Sequence, residues 1–235
     1  MHVIDAIREA FVLLLHGDPV LLGIAWVSFK TTLIALAIAT PPAVVGGYLL
    51  AHHRFAGRRL LIWLAQASLA VPTVLIGLVL YLCLSRAGVF GGLHWLFTQT
   101  GIVAGQVLIG LPVLLAFSLA AVQAADPRLA ETAITLGAAR WRVMWTLLYE
   151  VRYGVLAAVI SGFGRVVSEV GCAIMVGGNI AGSTRTITTA ITLETSKGEF
   201  ARSIALGLLL VVIAAFINLA LVLLQGDAGS PKGVA

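Results

Sequence analysis

Charge is what this chain has least of. Asp, Glu, Lys and Arg make up 11% of its 235 residues, and 60% are hydrophobic. Soluble domains carry about 25% charged residues, so this composition excludes a soluble fold. Cysteine is also scarce. Cys83 and Cys172 both lie in apolar stretches and form no C-x-x-C spacing, which excludes a disulfide framework and a zinc site. His2, His16, His52, His53 and His94 fall in no ligand spacing, and H-E-x-x-H is missing; no metal is expected. No G-x-x-x-x-G-K-S/T run is present, so the chain has no P-loop for ATP. A nucleophile–base set is missing too: Ser168 and Glu169 are consecutive, and consecutive helix residues point apart. The chain is therefore expected not to be an enzyme and to bind no cofactor. The net charge is +5, but no basic run with interleaved aromatics supports nucleic-acid binding.

Long apolar runs dominate. Five are read, at about residues 23–50, 60–84, 102–124, 154–176 and 203–224. Each is long enough to cross a hydrocarbon core, which takes about 20 residues. Within a bilayer the backbone must satisfy its own hydrogen bonds, so these are helices. The fold expected is all-α: a polytopic membrane helical bundle of about five transmembrane helices, one domain over residues 1–235 with a core at 19–225. Before it, Ile4, Ile7, Phe11, Leu14 and Leu15 form one apolar stripe, read as an interfacial helix. Its apolar core, Ala10 to Leu15, is too short and acid-flanked for a cleavable signal. Pro41-Pro42, Pro72 and Pro112 fall inside spans and are expected to bend them. The glycine-rich stretch from Ala87 to Gly101 is read as a connection dipping into the interface. Cytoplasmic loops collect Lys and Arg. Arg54, Arg58 and Arg59 in the first loop, the arginines at 128–152 and Lys232 outnumber those on the other side. The N-terminus is thus expected outside and the C-terminus in the cytoplasm of a multi-pass cell-membrane protein.

One polar island interrupts the apolar runs. Asp126, Arg128, Glu131, Arg140, Arg142, Glu150 and Arg152 are seven charges in 27 residues, after 39 residues without any. Asp126 is suited to cap a helix that starts at Pro127. Ala130, Ala133, Ile134 and Leu136 give that helix an apolar contact surface. Gly137 lets the chain turn before Trp141 and Arg142 begin the return helix. A short surface helix of this kind calls for a soluble partner.

Glu131-Thr132-Ala133-xxx-Gly137 resembles the E-A-A-x-x-x-G loop of type I ABC importer permeases. The family pattern continues with I-x-L-P, where this chain has Leu147, Tyr149 and Glu150. A second block, Ser168 to Ile180 followed by Thr189 to Gly198, is similar to permeases for tetrahedral oxyanions, closest to the tungstate group and then the molybdate group. The resemblance covers roughly residues 20–225. It implies a coupling loop at residues 126–152, with Arg128, Glu131, Thr132, Ala133, Leu136, Gly137, Ala138 and Trp141 set in a cleft of an ATPase. It also implies a homodimer, two ATPase subunits carrying the ATP, and a substrate-binding protein that delivers the oxyanion. Sulfate is an alternative cargo. An ion-coupled secondary transporter is the alternative from another class; it predicts internal repeats, and five spans show none.

Arg165 and Glu169 are the charges inside the fourth span, four apart and able to pair. Ser161 and Ser168 lie near the same side, and Gly162 and Gly164 are expected to allow close helix approach. Two readings stand open: a neutralised pair that fixes packing, or an Arg165 that offers positive potential to a passing dianion. Gly177-Gly178-Asn179 is read as the end of that span. The threonine-rich loop that follows, to Arg202, is read either as a plain dipping loop or as a source of amides and hydroxyls at the pathway mouth, Asn179 among them.

Overall fold

The computed structural model describes residues 7–12, 16 and 18–225, with 221, 222, 224 and 225 described by their backbone only. Its helices, in chain order, are α1 Pro19–His52, α2 Arg58–Ser68, α3 Thr73–Leu84, a 3₁₀ turn Gly91–Leu93, α4 Gln99–Gln123, α5 Pro127–Thr135, α6 Arg140–Glu150, α7 Arg152–Val167, α8 Gly171–Gly177, α9 Ile187–Lys197 and α10 Phe200–Gln225. Every regular element among the described residues is helical. Helices α1, α4 and α10 are each long and apolar enough to cross a membrane. Two bent pairs raise the count to as many as five: α2 with α3, at 101°, and α6 with α7, at 68°.

The bundle is organised around α4, which touches α1, α2, α3, α7 and α8. Small residues let these helices approach closely, as lipid-facing bundles require. A Cβ on Gly47 of α1 would meet the backbone nitrogen of Leu119 at 2.8 Å, and one on Gly105 of α4 would meet Cys172 Sγ at 2.5 Å. Thr32 is bonded by Gln106, and Gly47 lies against Leu119. Residue numbers rise together in the two helices, so α1 and α4 run side by side in the same direction. Their shared core with α7 is Leu36, Ala39, Ala43, Leu114, Phe163 and Val167.

Two expectations change, those for the fourth apolar run and for the threonine-rich segment. The prolines inside the long helices interrupt neither: α1 continues through Pro41-Pro42 and α4 through Pro112. Only Pro72 sits at a break, as the N-cap of α3 after the 101° corner. The fourth apolar run is not one helix, because α7 ends at Val167 and α8 starts at Gly171. The threonine-rich segment is not a loop but contains α9. Thr186 and Thr189 form a capping box at its start, and Gly198, at φ 82°, closes it. The stretch from Ala87 to Gly101 is ordered against the bundle: Phe97 N–H donates to the Val176 carbonyl at 2.8 Å, and the Phe97 and Tyr81 rings lie 6.3 Å apart.

Of the N-terminal stripe, Ile4, Leu14 and Leu15 lie outside the described residues, as does Lys232 of the tail. Residues 7–12 are helical. Ala10 packs on Leu21, Ile24 and Ile187, while Ile7 and Phe11 remain exposed.

Gly105→Leu must therefore displace α8. Its thermal unfolding in detergent is expected to show a loss of about 1–3 kcal/mol, the usual range for overpacking. Gly23→Leu, where a Cβ would meet nothing within 4 Å, is expected to leave the transition unchanged.

Candidate functional site

At the end of the bundle where α1 and α4 finish, the island folds as two helices joined by a tight turn. Asp126 accepts a hydrogen bond from Arg128 N–H at 2.9 Å, with Pro127 at the first helical position. The other end closes by paired bonds: Ala138 N–H to Ala133 carbonyl at 3.0 Å and Gly137 N–H to Ile134 carbonyl at 2.9 Å. Gly137 sits at φ 78°, so this is a Schellman turn that needs a residue tolerant of the left-handed region. The expected single apolar surface is divided. Ala130 and Ala133 turn inward, onto a cluster with Tyr48, Val122 and Leu147. Ile134 and Leu136 point outward, 61% and 81% exposed. Glu131 and Thr132 are exposed beside them. Glu131 lines a cleft of about 570 Å³ together with Arg54, Arg58 and Asp126. Trp141 is exposed on α6, under the guanidinium of Arg142.

The second constellation lies in the break between α7 and α8. Glu169 is past the end of α7, yet it pairs with Arg165: Nη1 to Oε2 is 3.1 Å. Its other carboxylate oxygen accepts the Cys172 N–H at 3.1 Å, capping α8. Its carbonyl accepts the Thr188 hydroxyl at 2.7 Å. Glu169 thus ties α7, α8 and α9 at one point. Nearby, Ser28 Oγ accepts the Ile187 N–H at 2.6 Å, fastening the start of α9 to α1. The pair is asymmetric: the Glu169 side chain is 4% exposed and that of Arg165 38%. The guanidinium faces a cavity of about 260 Å³ lined by Ser68, Leu69, Val71 and Thr73 of the α2–α3 corner and by Pro112 of α4. A Cβ on Gly171 would fall 3.5 Å from Val74 Cα, so the two breaks are in contact.

Other expected members are placed differently. Ser161 and Ser168 bond back to their own helix, to the carbonyls of Ala157 and Gly164, and are not drawn into the Arg165–Glu169 pair. Gly162 meets Leu114 closely, but Gly164 has open space. Asn179 belongs to another cluster, where Arg185 Nε donates to its Oδ1 at 3.3 Å; its φ is 50°. The threonines around α9 are largely consumed internally: Thr184, Thr186, Thr188 and Thr189 are buried and bonded. Ser28 is a helix-fastening contact of this site that residue type alone did not mark, and Thr188, expected only as one hydroxyl of a polar segment, is another. The signal for Ser28 was a hydroxyl within an apolar run.

A bent-span helical bundle with a projecting two-helix loop is the architecture of a transport permease. The family described as "Binding-protein-dependent transport system inner membrane component" matches residues 43–227, and the chain belongs to it. The chain is 35% identical over 217 residues to the tungstate uptake system permease protein TupB of Campylobacter jejuni, covering 92% of this chain and 91% of that protein. It is 32% identical to TupB of Peptoclostridium acidaminophilum, covering 96% and 99%. It is 29% identical to the molybdenum transport system permease protein ModB of Escherichia coli, covering 73% and 80%. The solved bacterial alginate ABC transporter, in complex with a pentasaccharide-bound periplasmic protein, shares the fold at a TM-score of 0.76 and 16% identity, covering 95% and 87%.

Removing one partner of a buried pair leaves the other charge uncompensated, which costs about 3–5 kcal/mol. Here the buried partner is the carboxylate. Arg165→Met is therefore expected to destabilise the chain more than Glu169→Gln, with the double variant recovering much of the loss. Equal losses in chemical denaturation would contradict the asymmetry.

Proposed function

We propose that the chain is the permease subunit of an ATP-driven importer for a tetrahedral oxyanion, tungstate before molybdate, with sulfate a weaker alternative. The carrying observation is the α5 helix, closed by a glycine turn and projecting Ile134 and Leu136 from an apolar bundle. Such a surface on an inner membrane component of a binding-protein-dependent system suits a soluble ATPase. Two copies of the chain form the pathway, and two ATPase subunits dock on the α5 side of the 126–152 loop through Arg128, Glu131, Thr132, Leu136, Gly137 and Ala138; Trp141, expected among these contacts, stands on the aromatic face of α6 instead. Ala133 supports the helix from beneath. This side is cytoplasmic by the arginine bias of its loops, which puts the N-terminus outside. A binding protein delivers the anion at the opposite face, where Asn179 and Arg185 lie. The ATP is bound by the partner subunit, and this chain holds no cofactor.

Arg165 supplies the positive potential along the way. Its planar fork of donors matches an oxyanion, and its pairing with Glu169 moderates the attraction. A permease must hold its ion weakly enough to release it. The α2–α3 corner across the cavity is an element that can widen or close the passage. The cargo assignment is supported by the names and identities of the tungstate relatives.

Two experiments follow, both in vesicles holding the chain with its ATPase and binding protein. Gly137→Val strains the left-handed turn, and it is expected to uncouple ATP hydrolysis from tungstate uptake and weaken ATPase association. Unchanged values for both would sink the docking assignment. Arg165→Gln with Glu169→Gln keeps the pair neutral, and it is expected to lower oxyanion uptake at least about tenfold, a loss of ~1.4 kcal/mol in barrier terms. Intact transport and intact preference among tungstate, molybdate and sulfate would remove Arg165 from the pathway.

A further inference from the structure

Helix α6 carries two apolar faces, and the fold uses one. Val143, Leu147 and Leu148 are buried against Tyr48 and Val122. Tyr48 is one turn from the end of α1, and Val122 is next to the last residue of α4. Packing on these last turns sets α6 against the ends of the long apolar helices. It joins α7 through Val151 alone, at a bend of 68°, so it does not simply prolong that helix. Its outer face is aromatic. Trp141, Trp145 and Tyr149 recur at four-residue steps, which places them on one side, and they are 60%, 60% and 69% exposed.

Arginine frames this face. The Arg142 guanidinium lies 5.4 Å from the Trp141 ring centroid. That of Arg152 lies 4.4 Å from both the Tyr149 and Tyr153 rings, held by Nη1 donating to the Tyr149 carbonyl at 2.8 Å. Arg140 stands at the start of the helix, and Glu150 is the one acid in it.

We infer that α6 is a membrane-surface helix whose aromatic face seats in the headgroup layer, with Arg140, Arg142 and Arg152 engaging the phosphates of anionic phospholipid. Tryptophan and tyrosine favour that boundary because one end of each ring is apolar and the other polar. An arginine alongside an aromatic ring presents donors outward while its stem and planar face remain covered. The arginine-framed aromatic chemistry of this face, set beside the ends of the long apolar helices, favours lipid over a soluble protein, whose docking surface on this loop is the separate Ile134–Leu136 face. The consequence is mechanical: lipid fixes the height and tilt of α6, and through the Gly137 turn it fixes where α5 stands above the bilayer.

The test uses the full chain in nanodiscs, accessible from both sides. Trp26, Trp63 and Trp95 are replaced by Phe, leaving Trp141 and Trp145 as the emitters. Should that variant not fold, the difference in emission between the unmodified chain and Trp141→Phe with Trp145→Phe gives the same reading. Lipid spin-labelled at the headgroup is expected to remove most of the emission, and iodide little of it. In mixed phosphatidylcholine–phosphatidylglycerol discs, labelled phosphatidylglycerol is expected to quench more than labelled phosphatidylcholine. Arg142→Gln with Arg152→Gln brings the two to parity. Strong iodide quenching with weak lipid quenching overturns the inference and leaves the face to a soluble protein. Shielding from both quenchers overturns it in favour of a second copy of the chain. A phosphatidylglycerol preference that survives loss of both arginines overturns the phosphate contact.

Discussion

A carboxylate inside an apolar bundle has to be satisfied, and Glu169 shows how much structure that requirement recruits. Burial of an unpaired charge costs several kcal/mol. Glu169 meets it with the Arg165 guanidinium on one oxygen and the Cys172 amide on the other. To do both, the chain must leave the helix between Val167 and Gly171. The break in turn frees a carbonyl, which Thr188 takes, fixing the start of α9; Ser28 holds the same start to α1. One residue thereby joins the end of α7 to the start of α8 through its side chain and seats α9 through its main-chain carbonyl. It also turns Arg165 toward the cavity at the α2–α3 corner.

The far end of the bundle obeys a different constraint. There the chain leaves the apolar core, and each short helix divides its surface. The inward sides of α5 and α6 share a cluster with Tyr48 and Val122. Their outward sides differ in chemistry: aliphatic Ile134 and Leu136 on α5, arginine-framed aromatics on α6. That difference is what separates a surface proposed for a protein from one inferred for lipid. A link between ATP hydrolysis and the pathway would run through this end, because α6 passes through Val151 into α7, the helix that carries Arg165.

Much of this was legible in the residues. Apolar runs longer than a hydrocarbon core mark membrane helices, and Asp126-Pro127 with Gly137 marked both ends of α5. The i, i+4 spacing of Arg165 and Glu169 predicted their pairing. Composition could not show that the fourth run is interrupted, because a hydropathy average does not see a carboxylate turning back to cap an amide. Helix α9 was hidden for a related reason. Threonines read as a polar loop, yet Thr186-x-x-Thr189 and Gly198 are a helix start and stop, and the hydroxyls are buried against Glu169 and each other. Proline marked a corner at Pro72, the N-cap of α3, while α1 and α4 run on as helices through Pro41, Pro42 and Pro112, where a long helix held in a bundle tolerates the lost amide.

The central claim is that the α5 surface is where an ATPase acts on this permease. Disulfide trapping tests it most directly: Leu136→Cys in a Cys83→Ala chain, against single cysteines along the docking cleft of the ATPase, with and without ATP. The account predicts rapid cross-linking at Leu136 whose partner position changes when ATP binds. Failure to cross-link at Leu136, with cross-links forming instead from a cysteine at Leu93 on the 3₁₀ turn, would contradict it.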